Sequence, residues 1–481
     1  MIVKDLNQIQ DKKFKVIIIG SGLAGISAAL KFEKKKFEVL IVESGNLEFE
    51  ENTLSFLKAE SIGDHLGDFS QNRLRQFGGT SRIWGGNCNP MNEENFLEWP
   101  INKKDLDKYT NEAREFLLLK KEFFNEKLND NLNIYNIVWS KLRIDEKIYE
   151  HIKNSKLIHL TLNSTFLTFE SNGITKNITS IKCKKNNQDF SLKAKFFILA
   201  CGGIENSRLL LWSRENNKSL FNKNLPIGKY YMHHPFHTIG SGLINYKKLN
   251  QYFKKNSIYN SLIVTCDNNI YIEANKLFSK NKKITNSGIY INFKEANFEN
   301  NIYKQLRCFA PKFAKKIFDN IKSKEIYEIN IETLQEQRSI KTNLISLSNI
   351  LDPYGVPLTK IFWKKHPSEI TSGRIILEEI SKFLINEDIG RLALEEYLYD
   401  QTLQYDVISG NHQMGGTRIG KNENDSVVDK NLKVHGVENL FVTGGSVFRT
   451  SGHCHPTFTI VQLSLRLVDS IVNYSNSIKV S

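Results

Sequence analysis

Histidines near the C-terminus are the side chains of this chain best suited to proton transfer. His412 lies in the sequence HQMGG, and His453 and His455 bracket Cys454 in SGHCHPTF. A neutral imidazole can take up a proton near pH 7, and it is also a common metal ligand. The cluster of His453, Cys454 and His455 is therefore compatible with a catalytic base, a metal site or a polar loop.

A metal site is the weakest of these three interpretations. His453 and His455 would point the same way along an extended segment. Metal sites usually need three or four ligands, however, and Cys454 would point away while no acidic residue is adjacent. We therefore expect no metal ion, and we expect His453 to be a polar loop residue or a contact to substrate.

A glycine-rich turn near the N-terminus has the spacing of a dinucleotide-binding loop. Its GxGxxG frame follows the apolar run FKVIII and opens a helical pattern, which allows close approach to a pyrophosphate at a helix N-terminus. Glu43 ends the next apolar run, where a carboxylate accepts hydrogen bonds from a ribose diol. The residues expected to bind the dinucleotide here are Gly20, Ser21, Gly22, Leu23, Ala24, Gly25, Glu43 and Ser44.

Two further glycine clusters favour FAD over NAD. The run NLFVTGGS, residues 439–446, is again a strand that leads into glycines, and FGGTSRIWGGNCNP covers residues 77–90. Glycines let the main chain approach a ligand closely. A long dinucleotide held by segments from both ends of the chain is typical of stably bound FAD.

The elements that must position these residues follow an α/β pattern. FKVIII, AGISAALKFEKKK and FEVLIVESG predict a strand, a helix and a strand, which together form a βαβ unit. Residues 155–200 predict several strands, and PTFTIVQLSLRLVDSIV predicts a closing helix. Residues from about 235 to 400 are more polar and carry no dinucleotide signature, which indicates a second domain that faces substrate.

Composition excludes several classes of protein. The 481 residues are 40% apolar, which indicates a large core rather than a disordered chain. The net charge of +14 comes from scattered lysines without a nucleic-acid-binding motif, so we expect no nucleic acid. The six cysteines form no CxxC pair, which favours a reducing compartment. The absence of a signal peptide or a membrane-length apolar run predicts a cytoplasmic protein.

One amphipathic stretch, residues 303–326, has a function that the motifs do not explain. Helical spacing places an apolar stripe on one face, beside many lysines and interrupted by Pro311. We expect a helix packed on the second domain with a solvated basic face; the alternative is contact with a membrane surface or an anionic substrate. The stripe comprises Tyr303, Leu306, Phe309, Phe313, Ile317 and Ile321.

Several segments together resemble the glucose–methanol–choline oxidoreductases, FAD enzymes that oxidise alcohols. They are IIIGSGLAGISAAL, FGGTSRIWGGNCNP, WPINKKDLDKY, ILACGGIENSRLLL, GKYYMHHP, HQMGGTRIG, VVDKNLKVHGVENLFVTGGSVF and HPTFTIVQLSLRL. The resemblance implies a Rossmann-like FAD-binding domain with a parallel sheet, discontinuous in sequence over residues 1–100, 155–232 and 405–481. It also implies an inserted α+β substrate-binding domain with an antiparallel sheet, residues 101–154 and 233–404.

The resemblance extends the set of expected flavin contacts beyond the first loop. Some relatives carry a histidine that bonds covalently to flavin where this chain has Ile83, so we expect noncovalent FAD. The added cofactor residues are Gly78, Gly79, Thr80, Ser81, Trp84, Gly85, Gly86, Asn87, Cys88, Phe166, Ala200, Gly202, Gly444, Gly445, Pro456 and Thr457. Cys88 is expected to be a small buried filler.

The same resemblance implies that His412 and His455 form the catalytic pair. We expect His412 to act as general base while CH–OH is oxidised by hydride transfer to flavin N5, and His455 to orient the alcohol; the reverse assignment stays open. The substrate is expected to be a sugar, polyol or related alcohol. An oxidase that uses O₂, a lyase or a photochemical decarboxylase stays open, as do the electron acceptor and export with a partner subunit.

Overall fold

A computed structural model gives the fold of the chain. It describes residues 1–64, 67–173, 176–258, 269–295, 306–323, 326–400, 402, 403, 405, 407–409 and 411–480. Tyr303 and Cys266 lie outside the described residues. Two large sheets dominate the architecture, and each has its own hydrophobic core.

The strands, in chain order, are β1 (Lys13–Ile19), β2 (Val39–Val42), β3 (Ala59–Gly63), β4 (Asn87–Cys88), β5 (Asn125–Lys127), β6 (Leu132–Tyr135), β7 (Val138–Trp139), β8 (Ile158–Thr161), β9 (Thr165–Ser171), β10 (Ile178–Lys185), β11 (Gln188–Leu199), β12 (Pro235–Asn245), β13 (Asn269–Ala274), β14 (Ser287–Glu295), β15 (Ile326–Gln335), β16 (Leu344–Leu351), β17 (Pro357–Trp363), β18 (Gly390–Leu394), β19 (Ile408–Ser409) and β20 (Leu440–Val442).

The helices are α1 (Leu23–Lys34), α2 (Lys103–Asp107), α3 (Thr110–Phe116), α4 (Glu146–Asn154), α5 (Glu205–Asn216), α6 (Tyr246–Lys255), α7 (Lys276–Lys282), α8 (Pro311–Ser323), α9 (Pro367–Asn386) and α10 (Thr457–Val480).

The first sheet contains the predicted βαβ unit. Strands β8, β2, β1, β11 and β20 lie side by side and parallel, and β10 and β9 extend the sheet as an antiparallel arm from β11. The last four residues of β1 are all buried, as expected where both faces of a parallel sheet are covered. Helices α1 and α10 pack against each other beside this sheet.

The second sheet is antiparallel over most of its width. Its order is β18-β12-β15-β14-β13-β6-β5, and β19 pairs with β12. Helix α9 covers one face, and a capping box between His366 and Glu369, with Pro367 at the first position, starts this helix. The combination of a parallel and an antiparallel sheet confirms the predicted fold class.

Residues 101–154 pack on both halves of the molecule. Strands β5 and β6 join the second sheet, while Ile152 belongs to the first core and α3 packs on α10. A third, small sheet pairs β3 in parallel with β17 and β17 with β16. The predicted domain boundaries stay a prediction. Residues 101–154 were assigned to the substrate-binding domain, but they contact both halves of the molecule.

The amphipathic stretch forms α8, but part of its apolar stripe faces solvent. Phe309 is 90% exposed and Phe313 is 58% exposed, while Ala314 is buried. The expectation that the whole stripe packs on the second domain is therefore wrong for these two phenylalanines. The side chain of Ile321 lies outside the described part of the structure.

No helix among the described residues combines the length and the apolar character that crossing a bilayer requires.

Candidate functional site

A cavity of about 720 Å³ opens at the carboxyl ends of the parallel strands. Ile19 ends β1, Val42 ends β2, Ala200 follows β11 and Gly444 follows β20, and all four residues line the cavity. Ligands of open α/β sheets bind outside the carboxyl ends of the strands. The first sheet therefore places a ligand site where the glycine motifs predicted one.

The first glycine loop has the backbone geometry of a nucleotide-binding turn. Gly20 adopts φ +101°, and a Cβ atom on Gly25 would lie 2.1 Å from the Gly20 carbonyl oxygen. Gly25 thus lets α1 pack closely on the turn instead of lining the cavity. A Cβ atom on Gly22, by contrast, would have no atom within 4 Å and would project into open space.

Glu43 holds the loop in shape while it lines the cavity. Its carboxylate accepts hydrogen bonds from the main-chain nitrogen of Ser21 at 2.9 Å, from the Ser21 hydroxyl at 2.6 Å and from the nitrogen of Gly45 at 2.7 Å. A carboxylate has about four acceptor positions, and the Ser44 hydroxyl takes the fourth through a long contact of 3.3 Å. A ribose hydroxyl can therefore bind Glu43 by replacing Ser44, while the three shorter contacts to the loop remain.

Asn206 joins the glycine turn after β11 to the glycine turn after β20. Its side-chain oxygen accepts from the Cys201 nitrogen at 2.7 Å, and its amide donates to the Thr443 carbonyl at 2.9 Å and to the Ser446 hydroxyl at 2.8 Å. The side chain is fully buried. Asn206 lies inside the motif ILACGGIENSRLLL but was not among the predicted residues; an asparagine three positions after a glycine pair is the signal that could have found it.

Two observations indicate that the cavity fits an FAD molecule. Gly22 and Gly202 both leave space that a Cβ atom would enter, so main chain faces the cavity directly. The Nε atom of Arg75 is buried beside this space and has no hydrogen-bond partner among the described residues. Arg73 and Arg75, which sequence reasoning missed, add positive charge to the lining, as a pyrophosphate requires.

Most of the predicted cofactor residues line the cavity, and three do not. Gly25 packs within the loop, Gly78 adopts φ +89° against Ile144, and Cys88 is buried in an apolar cluster. Burial raises the pKa of Cys88 far above its usual value, which fits the predicted filler. Those that line it are Gly20, Ser21, Gly22, Leu23, Ala24, Glu43, Ser44, Gly79, Thr80, Ser81, Trp84, Gly85, Gly86, Asn87, Phe166, Ala200, Gly202, Gly444, Gly445, Pro456 and Thr457.

The structure brings His412 and His455 together at one end of the cavity. Their ring centroids are 5.1 Å apart and the rings are nearly perpendicular. Both side chains line the cavity beside Pro456 and Thr457, at the start of α10. The predicted pair thus shares one space although the residues lie far apart in sequence.

His455 is held by two asparagines. Asn89 Oδ1 lies 3.0 Å from the His455 main-chain nitrogen and 3.3 Å from Nδ1, and the amide of Asn87 lies 3.4 Å from Nε2. Because the Asn89 oxygen only accepts, the Nδ1 atom carries the proton of the neutral ring. Burial, together with the positive charge of His453, lowers the pKa of His455 to about 4.

His412 contacts a third histidine outside the predicted pair. Its Nδ1 atom lies 2.9 Å from Nδ1 of His234, which precedes β12. Burial and the neighbouring histidines His234 and His455 hold the pKa of His412 well below 6.5. The imidazole is therefore neutral near pH 7 and able to accept a proton.

His453 does not reach the cavity, so the structure does not support its predicted contact with substrate. The side chain is fully buried, and its Nε2 atom lies 2.8 Å from Glu273, which is 2% exposed. Burial opposes a charge on His453, but the neighbouring Cys454 and the Glu273 carboxylate together outweigh burial and raise the pKa of His453 well above 6.5. Within the described residues, no group of three or more metal-ligating side chains occurs.

The second sheet supplies the wall opposite the glycine loops. This wall is rich in aromatic rings and amides, and Tyr290 lies parallel to the His455 ring with centroids 6.4 Å apart. Asn292 is held by the Glu332 carboxylate at 2.7 Å. Sequence reasoning assigned this region to substrate but named none of its residues, which are Phe236, Asn269, Tyr271, Tyr290, Asn292 and Leu334.

Family models match two parts of the chain. Residues 340–464 match the GMC oxidoreductase family, and residues 15–50 match an FAD binding domain. The second match covers β1, the glycine loop and Glu43, and the first covers both cavity histidines.

Curated relatives include two dehydrogenases. The large subunit of fructose dehydrogenase from Gluconobacter japonicus is 24% identical over 346 residues, which cover 68% of this chain and 56% of the relative. The 2-methyl-1,2-propanediol dehydrogenase from Mycolicibacterium austroafricanum is 25% identical over 289 residues, 58% of this chain and 48% of the relative. The chain thus spans about half the length of these relatives.

Solved structures share the fold over nearly the whole chain. An FAD-dependent oxidoreductase from Chaetomium thermophilum aligns with a TM-score of 0.62 at 12% identity and covers 97% of this chain and 100% of its own. A formate oxidase from Aspergillus oryzae aligns with a TM-score of 0.57 at 14% identity and covers 97% and 99%.

Proposed function

Because the chain belongs to the GMC oxidoreductase family and its cavity accommodates FAD, we propose that it oxidises a CH–OH group to a carbonyl. The observation that carries this proposal is the pair of neutral histidines, His412 and His455, at one end of the cofactor cavity. Oxidation of an alcohol needs a group that removes the hydroxyl proton as hydride leaves the carbon. The histidine pair supplies that group beside the cofactor.

The glycine loops and Glu43 would hold the cofactor. Gly22, Leu23 and Ala24 line the cavity at the start of α1, where a helix N-terminus suits a pyrophosphate. A ribose hydroxyl would bind Glu43 in place of its long contact from Ser44. When bound, FAD accepts the hydride that leaves the substrate carbon. We propose noncovalent FAD because the position of a covalent histidine in some relatives is Ile83; acid precipitation should release all flavin into the supernatant.

His412 is the general base of this proposal. Its Nε2 atom makes no hydrogen bond to any described residue, whereas Nε2 of His455 already faces the Asn87 amide. A free lone pair on a neutral ring is what proton abstraction requires. His455 would pack beside the alcohol next to His412, with Asn87 and Asn89 fixing its ring; its one N–H group is held by Asn89 and is not a donor to the alcohol oxygen.

A small hydroxylated substrate, such as a sugar or polyol, fits the opposite wall. Tyr271 and Tyr290 offer flat surfaces, and Asn269 and Asn292 offer amides that can hydrogen-bond several hydroxyls. The two dehydrogenases similar to this chain are named for fructose and for a propanediol. These features support polyhydroxylated donors over purely apolar alcohols.

The test is the visible spectrum of the purified protein during anaerobic addition of sugars, polyols and simple alcohols. We expect a flavin spectrum that bleaches with at least one hydroxylated donor and formation of the matching carbonyl. Hydrogen peroxide after readmission of air would identify an oxidase, and its absence with turnover of an artificial acceptor would identify a dehydrogenase. A flavin that no donor bleaches would contradict the proposal.

Residues 306–323, which include α8, support a peripheral contact with an anionic membrane surface. Phe309 and Phe313 are exposed, and the exposed basic residues Arg307, Lys312 and Lys316 lie within the same few turns. Aromatic side chains beside lysines suit the interface of an anionic bilayer. Flotation with vesicles of phosphatidylglycerol and phosphatidylcholine should carry the protein upward, and F309S/F313S should not float; wild-type protein left at the bottom would exclude this contact.

A further inference from the structure

We propose that His234 is a positioning residue that fixes which ring nitrogen of His412 carries the proton. The inference rests on the proposed function, in which His412 is the general base. A base of this kind must present a nitrogen lone pair, not an N–H group, to the substrate hydroxyl. His234 determines that choice through a direct contact between the two rings.

The contact joins two nitrogens that must play opposite roles. Nδ1 of His234 and Nδ1 of His412 are 2.9 Å apart, and the ring planes meet at 89°. A hydrogen bond at this distance needs one N–H group and one lone pair. The position of the proton on His234 therefore decides the position of the proton on His412.

The other nitrogen of His234 settles its tautomer. Nε2 lies 3.4 Å from the Ser451 carbonyl oxygen, which can only accept, so Nε2 carries the proton. His234 and Ser451 are both fully buried, which makes an unpaired carbonyl costly. In the neutral ring, Nδ1 is then the lone pair that accepts from His412.

Neutrality of His234 follows from its surroundings. The ring is fully buried, and the titratable groups that act on it include His233, His455 and His453. Burial and these histidines all disfavour a second positive charge and hold the pKa of His234 well below 6.5. His234 therefore stays an acceptor across the neutral pH range.

The chain of hydrogen bonds leaves His412 with its proton on Nδ1 and its lone pair on Nε2. Nε2 has no partner within the described residues, and the His412 side chain lines the cavity. When His412 takes up the substrate proton, its Nδ1–H becomes a charge-assisted donor to His234, which strengthens the contact. His234 thus holds the ring in place before the proton moves and stabilises the imidazolium afterwards.

A matched pair of substitutions separates hydrogen bonding from packing. H234N and H234L place side chains of nearly the same shape at this position, but only asparagine offers an oxygen that can accept from Nδ1 of His412. Groups that orient metal-bound histidines contribute on the order of tenfold to a hundredfold in affinity or activity, and we expect the same range for His234. We expect anaerobic flavin reduction in H234L to be slower than in H234N by about that factor, with equal FAD content.

The tautomer itself is measured without substrate. In wild-type protein with ¹⁵N-labelled histidine, long-range proton–nitrogen spectra should show the His412 proton on Nδ1 and the His234 proton on Nε2, with signals assigned through H412Q and H234N. The reverse pattern in wild type would overturn the inference even if H234L fails to fold. Equal rates in H234N and H234L would also overturn it, whereas wild-type flavin that no donor reduces would contradict the proposed function alone.

Discussion

The two faces of the cavity are built by different means. The face after β1, β2, β11 and β20 presents main chain, because glycines such as Gly22 and Gly202 leave no side chain between backbone and cavity. The opposite face presents side chains, among them Tyr271 and Asn292, which stand on antiparallel strands. A main-chain face binds its ligand through groups that every residue has, so it suits the cofactor; a side-chain face selects the substrate.

His412 and His455 lie where the two faces meet. They stand on loops that precede β20 and α10. Their partners come from other segments: Asn87 and Asn89 from residues 77–90, and His234 from just before β12. The chemistry therefore depends on both faces being correctly assembled. Substitutions on each face should separate cofactor binding from substrate oxidation.

The largest effect is expected at the junction itself. His412→Ala removes the proposed general base, so the rate of anaerobic flavin reduction should fall by about 10²–10⁴ while FAD content is unchanged. Stopped-flow absorbance measures the rate. His151→Ala, which removes a half-exposed imidazole distant from the cavity lining, is the matched control and should reduce flavin at the wild-type rate. Equal rates in the two variants would remove His412 from the mechanism.

A large effect on stability is expected where the second sheet contacts the loop before α10. Glu273 on β13 pairs with His453 at 2.8 Å and accepts from Asn92 at 2.8 Å and from Asn125 at 2.7 Å. Glu273→Gln leaves a buried imidazolium without its counter-charge, so the free energy of unfolding should fall by about 3–5 kcal/mol. Urea denaturation measures the change.

The double variant Glu273→Gln/His453→Gln sharpens this result. Since it removes both charges, it should recover part of the loss in the free energy of unfolding. Lys127→Ala breaks an exposed ion pair with Asp130 and serves as the control with no measurable change. A double variant no more stable than Glu273→Gln would show that the charges do not interact.

A smaller effect separates cofactor binding from folding on the main-chain face. A Cβ atom at Gly22 meets no protein atom within 4 Å, so Gly22→Ala should fold normally but obstruct the cofactor. Steric overlap of one methyl group costs about 1–3 kcal/mol, which weakens FAD binding by roughly 5- to 150-fold. Titration of apoprotein with FAD measures the change.

Gly25→Ala is the contrasting variant on the same loop. Its Cβ atom would lie 2.1 Å from a backbone oxygen, so folding as well as FAD binding should suffer. Thermal unfolding of the two apoproteins compares them. The interpretation of the loop would be wrong if Gly22→Ala lost stability as severely as Gly25→Ala.

The smallest effect concerns pH. The proposed base, His412, would work as a neutral ring, and burial lowers its pKa. The rate of flavin reduction should therefore be constant from about pH 6.5 upward and should fall only as pH drops through the lowered pKa. Pre-steady-state reduction across pH, with stability checked at each value, measures this. A rate that rises tenfold per unit above neutrality would contradict a base of lowered pKa.

The contrast between the faces also explains what the sequence could predict. Gly20, Gly22, Gly25 and Glu43 act within one βαβ unit, where local spacing carries the information. The pairing of His412 with His455 came from a family resemblance, since nothing local joins two positions so far apart. The second sheet was predicted as a region, but its registers were not, because antiparallel pairing between distant segments leaves no local pattern.

Two residues show the limit of sequence reasoning most clearly. His453 shares an HxH pattern with His455, yet it turns into a buried ion pair because β13 brings Glu273 to it. His234 was not among the predicted site residues, yet its ring touches His412. In both cases the partner lies on another element, and only the tertiary fold identifies it.

The most direct test of CH–OH oxidation uses an alcohol substrate that is deuterated at the carbinol carbon. Once the donor panel identifies a substrate, flavin absorbance is followed anaerobically with the protiated and the deuterated compound. Bleaching should slow severalfold with deuterium, because the C–H bond breaks as hydride leaves. The same comparison is made in His412→Ala, where the chemical step limits the rate. Bleaching at the same rate with both compounds in both proteins would contradict CH–OH oxidation at this site.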